Sequence, residues 1–87
     1  MANPLLRRPN VQAATGLSRS TLYLRISQGL WTKPVSIGDR CVAWPESEVI
    51  ILNAARIAGK SNDEIRELVQ QLEKERTKAF KGVGDEQ

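Results

Sequence analysis

The chain has no histidine, one cysteine and only four aromatic residues among its 87. Each shortage removes a class of function. Without histidine, the side chain that most often serves as general base or metal ligand is missing, and the single thiol of Cys41 builds neither a structural zinc site nor an internal disulfide. A lone thiol suits a reducing cytosol. No apolar run approaches the roughly 18 residues a membrane span needs, and residues 1–9 lack the apolar stretch of an export signal. So few aromatics leave little to stack on unpaired bases, which disfavours single-strand and RNA binding. A chain this short buries only about 60% of its unfolded surface, so the core is small and there is no cleft between lobes. Glu46 and Glu48, the acids nearest that core, stand at a helix start, where they match the helix dipole rather than form an acid/base pair. The expectation is a soluble, cytoplasmic, non-enzymatic domain with no catalytic residue, metal or cofactor.

What is present is charge, unevenly placed. Residues 1–44 carry six basic groups (Arg7, Arg8, Arg19, Arg25, Lys33, Arg40) against one acid, Asp39, for a net of +5. Residues 45–87 carry seven basic groups against nine acids, for a net of −2. A polyanion is drawn to the first half only.

The local patterns divide that first half. Residues 1–8 carry Pro4 and, next to them, Pro9, with no apolar repeat beyond Leu5-Leu6; they are expected to form a flexible arm. Pro9 suits the first position of a helix that ends at Gly16, with Val11 and Ala14 on its apolar face. Ser18 then caps a second helix over 18–28 that Gly29 closes. Two helices meeting across so short a turn make a helix-turn-helix. At about 100° per residue, Leu22 and Ile26 of the second helix face the core, while Ser20, Thr21, Leu24 and Gln28 lie opposite. Leu24 reads as a singly exposed surface residue. The period then changes: Val35, Ile37, Cys41 and Ala43 alternate around a Gly38-Asp39 turn, predicting a hairpin, or wing, within 33–44, with Pro34 restricting its first strand to an edge. Trp31 and Trp44 bracket the wing as core. Pro45 starts the next helix, apolar on most faces until Gly59, and these elements make up residues 9–60.

Ser61 with Glu64 three residues on is a capping box for a C-terminal helix over 61–81; residues 82–87 are expected to be disordered. Ile65, Leu68, Leu72 and Phe80 form an apolar stripe along it. That stripe either folds back on the core or pairs with a second subunit, so a homodimer through Ile65, Leu68 and Leu72 is one expectation. Glu73, Lys74, Glu75, Arg76 and Lys78 read as a solvated face.

The groups at the start of the second helix are those that bind phosphates and base edges when a helix enters the DNA major groove. The expected DNA-binding set is Ser18, Arg19, Ser20, Thr21, Tyr23, Arg25, Lys33 and Arg40. Arg19 is equally suited to a bidentate guanine contact and to a phosphate clamp. Ser18 is chiefly a cap, and Tyr23 is expected to bury its ring while presenting its hydroxyl.

The segments running from Thr15 through Tyr23, then Lys33-Pro34-Val35, Ile37-Gly38-Asp39-Arg40, Ala43-Trp44 and Ser47-Glu48-Val49, resemble the AlpA family of prophage regulators over about residues 5–55. The resemblance implies a mainly α winged helix-turn-helix with a small β-hairpin, similar to excisionases and MerR-type domains, here followed by a C-terminal helix. It also implies binding of double-stranded DNA in transcriptional regulation at the bacterial nucleoid. An excisionase-like factor that bends DNA uses the same module, with an integrase or another regulator as partner. Trp31-Thr32 stands where a Phe-Pro pair is usual in the family, and Pro45 stands where a polar residue is common. A rival of a different class is a protein-interaction module acting through the C-terminal helix.

Overall fold

In the computed structural model, which describes residues 4–85 and their side chains as far as Lys78, the element order is β1 (Leu5–Arg7), α1 (Arg8–Thr15), α2 (Arg19–Ser27), β2 (Val35–Gly38), β3 (Cys41–Pro45), α3 (Glu46–Ile57) and α4 (Asn62–Asp85). The fold is mainly helical with one small antiparallel sheet: a winged helix-turn-helix followed by a C-terminal helix.

The helix-turn-helix corner is fixed by short-range bonds. Gly16, at φ +74°, adopts the left-handed conformation that releases the chain from α1, and its N–H donates to Gln12 O at 2.8 Å. The Thr15 hydroxyl donates back to Val11 O (2.8 Å) and accepts from Leu17 N–H (3.2 Å), so one side chain joins helix end to turn. Ser18 then caps α2 by accepting from Thr21 N–H at 3.2 Å. At the far end of α2, Leu30 N–H reaches Arg25 O (2.8 Å) and Gly29 N–H reaches Ile26 O (3.1 Å), the paired bonds of a Schellman closure.

Residues 1–8 were expected to be a flexible arm; of these, residues 1–3 lie outside the described residues, and the rest is ordered by pairing. Leu5, Leu6 and Arg7 stand opposite Pro45, Trp44 and Ala43, making β3 the centre of a sheet ordered β1-β3-β2. Glu46 N–H also donates to Pro4 O at 2.8 Å. Three residues carry no alternation worth reading, and only a strand some 38 positions away completes their hydrogen bonds.

The ribbon also departs from simple alternation. Ser36 pairs with Val42 but Gly38 pairs with Cys41, so Ile37 is the extra residue of a bulge and is 45% exposed rather than inward-facing. The turn positions are Asp39 and Arg40, not Gly38-Asp39, and Arg40 takes φ +60°. Pro45 ends β3, is buried, and acts as the flanking residue before α3 rather than as a helical one. Residues 82–85 continue α4 instead of forming a disordered tail; Glu86 and Gln87 lie outside the described residues.

The core lies where α1, α2, β3, α3 and α4 meet: Val11, Leu22, Leu30, Trp31, Trp44, Val49, Leu52, Ile65 and Val69. Trp44 is wholly buried, and its indole N–H donates to Thr32 O at 2.8 Å. α4 folds back on this core. Ile65 is 1% exposed, and Leu68 and Leu72 pack against it half-buried, so Ile65 is not available to a dimer face. The side chain of Phe80 lies outside the described residues.

α4 is also wired to the rest of the molecule by charge. Glu48 does not serve merely as a helix-start acid: it is 4% exposed and accepts two bonds from Arg76, at 2.7 and 2.6 Å. Arg76 donates further to Lys33 O (2.8 Å), and Glu73 accepts from Lys33 N–H (2.8 Å). Arg66 Nε donates to Gln28 O at 2.9 Å, placing a cation on the C-terminal end of α2. Two residues of the expected solvated face, Glu73 and Arg76, thus hold the Lys33 end of the segment that leaves α2 for the wing, and Arg66 holds its Gln28 end.

Candidate nucleic-acid interface

The corner and the Schellman closure present α2 with one face outward. Leu22 is buried and Ile26 half-buried; Arg19, Ser20, Leu24, Ser27 and Gln28 are exposed. There is no acidic residue in α2, and the amides of its first turn lack intrahelical acceptors, so the helix start is electropositive.

Each expected site residue has a definite place. Ser18 is occupied as a cap, and its hydroxyl also donates to Thr21 Oγ1 at 2.9 Å, so Ser18 and Thr21 engage one another. Arg19 and Ser20 are exposed beside them, and among the described residues no ion pair holds Arg19. Tyr23 lays its ring edge-on to Trp44 (centroids 6.5 Å apart, planes at 63°) and remains 37% exposed. This contact seats α2 against β3.

Arg25 turns the other way. It lines a cleft with Thr15, Leu17, Asn53 and Arg56, between the helix-turn-helix corner and α3. The Arg56 guanidinium there is held below its ordinary value, first by partial desolvation and then by the charge of Arg25. Lys33 is exposed at the ribbon base, in a cleft with Gln28, Gly29, Arg66 and Glu73, whereas Arg40 is at the ribbon tip. The four residues of β2 put roughly 13 Å between base and tip, so the two do not form one patch.

Arg40 instead joins Arg7 and Arg8, which line a cleft with it beside Pro9 and Val42. These two arginines were counted in the charge of the first half but given no site. Their proximity follows from the β1–β3 pairing, which sets Arg7 opposite Ala43, three residues from Arg40.

An outward helix following a tight corner, flanked by a basic-tipped β-ribbon, defines a winged helix-turn-helix protein. Residues 4–50 match the family of the prophage CP4-57 regulatory protein, AlpA. The chain belongs to that family of prophage regulatory proteins. It is also 49% identical over 55 residues to the ORF88 protein of Enterobacteria phage P4, an alignment covering 63% of this chain and 62% of that protein. No solved structure is a significant match. Among the described residues, no helix is long and apolar enough to cross a membrane.

Proposed function

We propose that the protein binds duplex DNA sequence-specifically, with α2 in the major groove, as a regulator acting on prophage genes. Arg19 and Ser20 face base edges; Thr21 and the Tyr23 hydroxyl face the sugar-phosphate backbone. Arg40 at the wing tip leans on the neighbouring backbone, and Lys33 serves a phosphate beside the far end of α2. Ser18 contributes through the cap it forms, which holds the first-turn amides outward.

The observation that carries this reading is the unpaired, exposed Arg19 at the electropositive start of a helix with no acid of its own. A guanidinium so placed matches the two acceptors of guanine, a contact worth about 1–3 kcal/mol of discrimination. Selection from a random duplex library tests it. The wild-type protein is expected to recover a motif containing a guanine that Arg19→Ala no longer requires. Identical motifs and affinities for the two proteins would remove α2 from the reading.

A further inference from the structure

Three arginines from separate stretches of the chain line one cleft beside the wing tip. Arg7 ends β1, Arg8 opens α1 and Arg40 occupies the turn between β2 and β3; together with Pro9 and Val42 they line one cleft. The sheet register enforces this. With Arg7 opposite Ala43 and Gly38 opposite Cys41, the end of β1 lies alongside the β2–β3 turn, where the chain swings into α1. No carboxylate lines the cleft, and among the described residues none forms an ion pair with any of the three; the Arg8 Nε donates only to the neutral Gln12, at 3.2 Å. Asp39 shares the turn with Arg40 and is exposed, and among the described residues it forms no ion pair. Three like charges gathered without a counter-ion repel one another, and the arrangement is relieved by an anion with several acceptor oxygens.

The backbone at Arg40 supports the same conclusion. Its φ of +60° is a conformation that asparagine or glycine adopts more readily, so an arginine there is held against local preference. Among the described residues no ion pair engages its side chain.

We propose that Arg7, Arg8 and Arg40 form a clamp for a single backbone phosphate of duplex DNA. The clamp rests on the reading of the protein as a duplex-DNA binder, and it lies apart from the base-reading face of α2. A phosphate contact positions the protein without reporting sequence, and each phosphate neutralised steepens the fall of log K with log salt by about 0.9. The clamp therefore sets affinity and register, not base preference.

The test compares the full-length wild-type protein with Arg7→Gln/Arg8→Gln and, separately, Arg40→Asn, whose new side chain tolerates the left-handed turn. Circular dichroism and thermal melting verify that each variant is folded. Binding to the duplex selected by the wild-type protein is titrated across a salt series, then repeated with duplexes carrying one uncharged methylphosphonate at each backbone position in turn. Both variants are expected to flatten the salt slope by about 0.9 and to leave the selected motif unchanged. One methylphosphonate position should weaken the wild-type protein and leave both variants unaffected. If the wild-type protein binds duplex and the variants keep its slope and methylphosphonate profile, the clamp is wrong while the α2 reading stands. If the wild-type protein binds no duplex, or prefers single-stranded RNA, both are overturned together.

Discussion

Thr32 shows how a single residue can sit in a place that never asked for its chemistry. It is wholly buried, its carbonyl is taken by the Trp44 indole, and its hydroxyl has no hydrogen-bond partner among the described residues. Desolvating an unpaired hydroxyl costs about 1–3 kcal/mol, whereas a methyl in its place costs nothing comparable. Thr32→Val is therefore expected to raise stability, by about 1 kcal/mol, as an upward shift of the urea midpoint at constant m-value. A midpoint that falls would show that the hydroxyl has a partner. Glu64 presents the opposite case, a surface carboxylate fully engaged. Ser61 N–H donates to it at 3.0 Å, and the Ser61 hydroxyl and Lys60 add to the effect, holding its carboxyl below the ordinary 4.5. Because the folded state favours the ionised form, this contribution is complete above the ordinary carboxylate range and disappears as pH falls through the depressed value. Glu64→Gln is expected to flatten the acid limb of melting temperature against pH, below about 4.5, and to leave the neutral region's slope unchanged.

At the scale of elements, α4 is the part whose role departs most from its appearance. The family match ends at residue 50, yet α4 contributes Ile65 and Val69 to the core and holds residues 28–33 through Arg66, Glu73 and Arg76. The Arg76–Glu48 pair is the sensitive point, because Glu48 is almost completely buried. Removing one member of such a pair strands the other, at a cost of about 3 kcal/mol. Arg76→Ala is expected to lower stability by about that amount in urea titration, and Glu73→Ala much less, while hydrogen exchange at the Lys33 amide speeds up in the Glu73 variant. Equal, small effects would mean that α4 covers the core without bracing the wing. These contacts also mark what sequence can reveal. Capping residues, the Gly16 corner, the closure at Gly29 and the helical stripe of Ile65, Leu68 and Leu72 act within one or two turns of chain, and all were legible. The β1 strand, the Ile37 bulge, the Glu48–Arg76 pair and the gathering of Arg7 and Arg8 around Arg40 depend on partners 28 to 40 positions away or on a one-residue slip of register. No local periodicity encodes those. Arg25 was expected among the DNA-binding residues, but the position of α3 sets it in a cleft with Arg56, which no local pattern in α2 encodes.

For the whole molecule, the decisive property is that its two halves differ in charge while sharing one core. The first 44 residues carry the net +5 and supply α2 and the ribbon, whereas the remainder, at −2, supplies α3 and α4. A duplex approaching the second half meets acids interspersed with bases and gains little; approaching α2 and the wing it meets guanidinium groups with few carboxylates near them. On the proposed reading, orientation on DNA is thus set by the field before any base is read. If about five phosphates are neutralised, log K should fall with log salt at a slope near −4.5, the wing-tip phosphate being one of them. The second half provides the control. Lys74 and Lys78 are exposed on α4 among acids, so the double change Lys74→Gln/Lys78→Gln lowers net charge by two without touching the α2 and wing surface. Fluorescence anisotropy titrations of a labelled duplex, from low to physiological salt, should give the same slope for this variant as for the wild-type protein. A slope that flattens as much for the α4 variant as for an arginine variant at the wing would place the DNA across α4, and the division of labour between the halves would have to be reversed.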